Sequence, residues 1–303
     1  MKNILSIQSY VCFGYVGNRA AVFPLQRLGF EVTAVNTVQF SNHTGYEDFS
    51  GDVMMPDHLS DVLSGVERRG VYENLEAVLS GYQGDLALGE LILKTVQKIK
   101  NIRQAKNLPI FYCCDPVIGD VGVGRFVPLE LAEFIKNQCV PMADILTPNL
   151  YELAYLTGVE VSDFTSIESL KSACHQLHER GPSIILVTSI EGGLLTPSTD
   201  QEKNSVIHML LSVKEKNTNE AYLVSTPKFE FKWPTSGAGD AVAAIFLGNF
   251  LKTQDPKLAL EKTASAIFEI LKATFEAGTR ELQLIGAQDS IVSPFHLFPS
   301  EEI

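Results

Sequence analysis

The sequence predicts an α/β protein built on a central, mostly parallel sheet with helices on both faces. Two observations carry this. Short apolar runs bounded by turn residues recur at 4–7, 32–38, 77–79, 110–114, 145–146 and 184–187. Longer stretches with helical spacing lie between them, among them 90–102, 129–136 and 167–179. Strands that alternate with helices run in the same direction, pair in parallel and are buried on both faces.

Each element has its own signal. The run at 4–7 carries one Lys before it and Gln8 and Ser9 after it, which suits a buried first strand better than an export leader. Helical spacing over 19–28 contains Pro24, so that helix is expected to kink or break. Asn149 and Glu152 stand three apart, as a variant capping box would place them. Beyond 187, the runs at 206–212, 221–224 and 228–232 read as a β meander at one sheet edge. Two apolar helices, 241–251 and 258–275, close the chain. No repeat and no linker rich in Pro, Gly or Ser interrupts the 303 residues, so a single domain over 1–303 is expected.

Composition narrows the function. The 24 basic and 36 acidic residues give a net charge of −12, which argues against a nucleic-acid partner and a membrane surface. An anionic ligand stays possible, because backbone N–H groups hold phosphate without cationic side chains. The apolar stretch 241–251 is too short to span a bilayer. Five cysteines without a C-x-x-C pair or a Cys/His cluster predict neither a disulfide framework nor structural zinc, and a reduced, cytoplasmic protein.

Ligands of such sheets sit at the carboxyl ends of the strands. Polar residues follow six consecutive runs there: Ser9; the segment 38–45; Ser80 and Tyr82; Asp115 to Asp120; Thr147 to Glu152; Thr188 and Ser189. The sharpest local motif is Thr235-Ser236-Gly237-Ala238-Gly239-Asp240, directly before an apolar helix. Two glycines and a helix N-terminus make an anion hole, and Asp240 can take the proton of an attacking hydroxyl during phosphoryl transfer. A plain glycine turn with Asp240 as N-cap is the alternative. The carboxylates of the 115–120 and 149–152 stretches can hold a hard cation such as Mg²⁺ or K⁺; helix capping is the alternative. The segment 117–127, with Gly119, Gly122 and Gly124, reads as either a flap bearing Arg125 or a surface loop. His43 sits in a polar loop, as a base, a ligand or a merely hydrogen-bonded side chain. Walker A, G-x-S-x-G and a first-strand G-x-G-x-x-G are all missing, which disfavours P-loop kinases, α/β-hydrolases and the usual dinucleotide enzymes.

Three blocks carry a family resemblance: Ser6-Ile7-Gln8-Ser9, the stretch from Gly14 to Ala21, and the stretch from Asn36 to Tyr46. With the Gly-Ala-Gly-Asp turn, they make nearly the whole chain resemble the pyridoxal kinases of the ribokinase superfamily. The resemblance implies a ribokinase-like fold, a homodimer, and ATP-dependent phosphorylation of the 5′-hydroxymethyl group of pyridoxal, pyridoxamine and pyridoxine. It implies Asp240 as the base, and Gly237, Ala238 and Gly239 as the anion hole. Ser9 and Thr44 would meet the ring's polar edge and Val16, Val38 and Tyr82 its faces, with His43 also among the substrate-binding residues. Asp115, Thr147 and Thr188 would surround a monovalent cation, K⁺ in kind. Asp120 and Glu152 would lie near Mg²⁺, and Asn149 near the phosphates. Thr188 and Ser189 match the nucleotide strand end, with Phe229 and Phe231 on the adenine side. The flap is shorter than in the animal enzymes and lacks the reactive Cys of some bacterial relatives; Arg125 stands near that place. Some bacterial relatives carry a Lys near Thr188. The alternatives are a hydroxymethylpyrimidine kinase of the same fold and a non-catalytic pyridoxal-phosphate-binding protein.

Overall fold

The computed structural model describes residues 2–191, 205–215 and 219–303. Among them, one ten-stranded sheet runs through the molecule in the order β12-β11-β10-β9-β8-β5-β4-β1-β2-β3. Its centre is parallel. Strands β2 (Glu31–Phe40), β1 (Asn3–Val11), β4 (Leu75–Ser80), β5 (Phe111–Cys114), β8 (Ile145–Leu146) and β9 (Ile184–Glu191) all point the same way. Both margins turn antiparallel. On one side β3 (Gly51–Val53) pairs with β2; on the other β10 (Val206–Lys214), β11 (Asn219–Pro227) and β12 (Glu301–Glu302) follow β9.

Two apolar layers hold the sheet. One face buries residues of α2 (Pro56–Arg68), α3 (Leu86–Ala105), α4 (Leu129–Phe134), α6 (Leu150–Thr157) and α7 (Ile167–His178). The opposite face is covered by α1 (Asn18–Arg27), α8 (Ala238–Thr253), α9 (Pro256–Ala277) and α10 (Gln288–Val292). Helix α8 is buried continuously from Ala241 to Leu251. A helix apolar all round belongs inside the molecule, and this one lies between α1, α9 and the sheet.

Three expectations need correction. Helix α1 runs unbroken through Pro24, whose carbonyl still accepts the Leu28 N–H. Ala20, Ala21 and Leu25 are fully buried around it, and that packing outweighs one missing helical bond. The helix over 129–136 is α4 followed by a π turn, Ile135–Cys139, and α5 (Val140–Met142). Pro141 lacks the N–H that an α-helical bond to residue 137 needs, and the wider turn passes that point. The segment 228–232 is no strand: β11 ends at Pro227, and its outer partner is β12, where Tyr222 faces Glu302. A proline cannot continue a ladder that needs its N–H.

Candidate active site

The carboxyl ends of the parallel strands lie along one edge of the sheet, and two helices begin there. Gly237 is the N-cap of α8, with φ 86°. A Cβ on it would collide with the carbonyl oxygen of Tyr15, so only glycine allows this approach. Gly17 is the N-cap of α1, with φ 55°, and lies against the backbone and hydroxyl of Ser9. The Asp240 carboxylate joins the two helix starts. The backbone N–H groups of Gly17 and of Asp240 itself lie close by and favour its charged form. Burial pushes its pKa up to about 6, against the pull of those two donors. The result is a carboxylate poised near neutrality at a convergence of free N–H groups.

Beside it, the end of β5 carries Asp115 and the end of β8 carries Thr147. The Thr147 hydroxyl donates to Asp115 at 3.1 Å. Burial, with the nearby Asp240 charge second, raises Asp115 to about 8. Thr188 is buried within β9, and its N–H donates to the Pro148 carbonyl across the bridge that sets it beside Asn149. Asp115, Thr147 and Thr188 offer hard oxygen donors, and a crowded carboxylate gains most from a cation. This donor set fits Mg²⁺ or K⁺. Among the described residues, no three His, Cys, Asp or Glu side chains gather closely enough to hold a metal ion.

Glu152 and Asn149 serve the backbone. Glu152 accepts from the N–H groups of Ile118 and Asn149, both at 2.9 Å. Asn149 closes the capping box on Glu152, and its amide donates to the carbonyl of Gly119 at 2.8 Å. Together they anchor a hairpin, β6 (Gly119–Asp120) with β7 (Gly124–Arg125). Asp120 begins its exposed turn, and Val121 donates to it at 2.7 Å. Arg125 folds back onto the Val127 carbonyl, 2.8 Å away.

On the other side of Asp240, Ser9 and Val38 lie near the carboxyl ends of β1 and β2, and Tyr82 follows the adjacent β4. Strand register brings Gln8 opposite Asn36 and Ile7 opposite Ser80. Ser9, Val16 and Val38 are buried, and Tyr82 is half-buried. A buried polar chain lies beneath them. Gln8 donates to Ser6, Ser6 to Asn18, and Asn18 to Asn36 and the Val35 carbonyl. Much of the sequence signature at 6–9, 18 and 36 therefore builds the floor of the slot, which position-by-position reading missed. Thr44 is exposed on the loop above. His43 is half-buried, pairs with the Ser236 hydroxyl at 3.2 Å and accepts from the Gly45 N–H at 3.1 Å. Burial lowers its pKa, so it is neutral at pH 7.

A cavity of about 110 Å³ opens on the far side of the glycine turn. Thr188, Ser189, Pro227, Thr235, Gly239 and Phe268 help line it. Ser189 takes a left-handed φ of 56°, where β9 shifts register against β10. Phe229 and Phe231 do not line this cavity. They form the rings behind it: Phe229 packs at a tilt against Phe268 and Phe275, ring centres 5.4 Å apart in each pair. The lining residue Phe268 comes from α9, where its apolar spacing alone marks it as core.

The chain matches a family model described as phosphomethylpyrimidine kinase over residues 61–284. It is 44% identical over 301 residues to pyridoxal kinase PdxY of Rubrobacter xylanophilus, covering 99% of this chain and 97% of that protein. To pyridoxal kinase PdxY of Deinococcus radiodurans it is 43% identical over 306 residues, covering 100% and 97%. Among solved structures, it is similar to pyridoxal kinase from Leishmania donovani in complex with ADP and pyridoxamine. That match has a TM-score of 0.89, 29% identity and full coverage of both chains. Pyridoxal kinase from Entamoeba histolytica matches with a TM-score of 0.85 and 30% identity, again over both whole chains.

Proposed function

The chain belongs to the pyridoxal kinase family, and from that premise we propose that it transfers the γ-phosphoryl group of ATP to the 5′-hydroxymethyl group of pyridoxal, pyridoxamine and pyridoxine. The observation that carries the proposal is Asp240, held between the starts of α1 and α8 with a pKa of about 6.

In this reading the pyridine ring enters the slot of Ser9, Val16, Val38 and Tyr82, with His43 and Thr44 at its polar edge. Phosphoryl transfer needs positioning and charge stabilisation more than covalent chemistry from the protein. Backbone N–H groups of Gly237, Ala238 and Gly239 receive the migrating phosphoryl oxygens. The Asp240 carboxylate takes the proton of the 5′-hydroxyl as its oxygen attacks. ATP lies toward Thr188, Ser189 and the cavity beside Phe268, under the hairpin that Asn149 anchors. Asp120, Phe229 and Phe231 stand around that side. Mg²⁺, when bound with ATP, would neutralise charge on the phosphates, and the oxygen donors of Asp115, Thr147 and Thr188 would hold K⁺. A cytoplasmic homodimer completes the proposal.

A second reading has its own support. The matched family model is a phosphomethylpyrimidine kinase, and such an enzyme would use the same turn and the same base. The full-length pyridoxal kinase relatives favour the pyridine ring. One coupled assay separates the two. Pyridoxal, pyridoxamine, pyridoxine and hydroxymethylpyrimidine are compared with ATP and Mg²⁺, and turnover of the pyrimidine alone would overturn the proposal.

A further inference from the structure

A cleft of about 640 Å³ lies outside the Gly14–Tyr15 backbone, and a pair of neighbouring charges, Arg280 and Glu281, lines one side of it. These residues lie beyond the end of α9, far in sequence from the slot they adjoin. The Glu281 carboxylate divides between two loops. One oxygen accepts the Tyr15 N–H at 3.1 Å, and the other accepts the Tyr46 hydroxyl at 2.5 Å. A Cβ on Gly14 would strike the same carboxylate, so the loop is moulded around it. Arg280 grips the second loop from above. Its guanidinium lies 3.8 Å from the centre of the Tyr46 ring and donates to the Gly45 carbonyl at 2.5 Å.

The chain connectivity gives these bonds a consequence. Tyr15 precedes Val16, one wall of the slot, and Gly45 and Tyr46 follow Thr44, one of its polar edges. The Tyr46 N–H returns to the His43 carbonyl at 3.2 Å, so holding Tyr46 also holds His43. Among the described residues Glu281 is the one carboxylate bonded to both loops, through donors that flank the slot without entering it. Charge-assisted hydrogen bonds of this kind are among the stronger polar contacts.

We propose that Glu281, assisted by Arg280, is a positioning residue that clasps the 14–17 and 43–46 loops together and so sets the width and affinity of the vitamer slot. This rests on the kinase reading above. The Glu281 and Arg280 side chains touch neither the glycine turn nor the nucleotide cavity. The loops they hold reach the turn through the Tyr15 carbonyl, the Gly17 N–H and His43, which the starts of α1 and α8 fix from the other side, so the effect falls mainly on the vitamer. The clasp is present before and during the reaction, and uniform binding of that kind enters KM and leaves kcat unchanged.

The test uses Glu281→Gln, Tyr46→Phe and the double variant of the full chain, with Tyr46→Phe as the milder change should Glu281→Gln fold poorly. Pyridoxal is varied at saturating ATP and Mg²⁺, and ATP at saturating pyridoxal. Each single variant is expected to raise the KM for pyridoxal about tenfold, as loss of one hydrogen bond to a charged group would. The KM for ATP and kcat should stay within about twofold, and the double variant should be no worse than the worse single one. A poorly folded fraction lowers apparent kcat and shifts neither KM, so simple destabilisation is read apart. Equal rises in both KM values, an unchanged pyridoxal KM, or independent multiplicative effects would each overturn the clasp. A wild-type chain inert toward pyridoxal would overturn the kinase reading and the clasp together; an active wild type with unaltered variants would overturn the clasp alone.

Discussion

Asp240 is subject to opposing influences, and the balance has a measurable consequence. Burial raises its pKa to about 6 while two backbone donors resist. A general base works only when ionised, so kcat should climb with pH through about 6 and level off above it. A kcat that stays flat from pH 5 to 8 would remove Asp240 from that role. Asp240→Asn should lose about 10²- to 10⁴-fold in kcat while still binding pyridoxal, measured by titration. Asp115 shows the opposite relation between activity and stability. Its pKa, raised to about 8 by burial and by Asp240, exceeds the ordinary carboxylate value, so the fold prefers it protonated. Its contribution to stability is intact below the unfolded value near 4 and is lost as pH rises toward 8. Asp115→Asn should therefore raise the melting temperature of the ligand-free chain at pH 8 more than at pH 5, by about 2 °C or more for each 1 kcal/mol gained. The same variant should lose activity. An unaltered or lower melting temperature at pH 8 would contradict the strained-carboxylate account. Both carboxylates were legible in the sequence, Asp115 because it directly follows a strand run and Asp240 because it closes a glycine turn before an apolar helix. Glu281 and Phe268 were not, since nothing local sets a residue after a long helix, or one apolar residue within it, apart from its neighbours.

Elements explain why the glycine turn reads so clearly in sequence. Helix α8 can start against the Tyr15 carbonyl only where no Cβ intervenes, and the turn needs a left-handed φ of 86° at Gly237. Local backbone demand of this kind selects one residue type, and a selected residue type is visible. Gly237→Ala should lower stability by about 1–3 kcal/mol and abolish most phosphoryl transfer, because the start of α8 must move away from α1. Wild-type melting and turnover in that variant would show that the close approach is dispensable. Other elements left weaker traces. Strand β12 is two residues long, and its pairing with β11 is fixed by the whole C-terminal path. The hairpin of β6 and β7 has two residues per strand, too few for any alternation to register. Helix α2 did carry signals, Pro56 at its first position and Leu59 and Leu63 on its buried face, but they follow a polar loop that hides them.

At the scale of the molecule, the alternation of runs was enough to place a parallel sheet, since each strand there is apolar on both faces. The margins were harder to read because antiparallel edges depend on partners distant in sequence. One margin also bears on assembly. All three residues of β3 are exposed, and β3 ends the sheet with nothing beyond it among the described residues. Phe49 packs at a tilt against Phe40, ring centres 5.1 Å apart, yet is still half exposed, and Val53 and Met55 follow it into solvent. Sheet edges in soluble proteins are normally blunted by charge or covered. This one carries a single charge, Asp52, flanked by the exposed apolar side chains of Phe49, Val53 and Met55, as an edge covered by a second copy of the chain would. The expected homodimer should therefore form across β3, and light scattering should report the mass of two chains. Met55→Glu places a charge in that contact without touching the core, because Met55 is largely exposed. It should shift the mass toward one chain while leaving the melting transition of the folded chain cooperative. A single-chain mass for the wild type, or an undiminished dimer in the Met55→Glu variant, would move the interface elsewhere and leave this apolar edge without its partner.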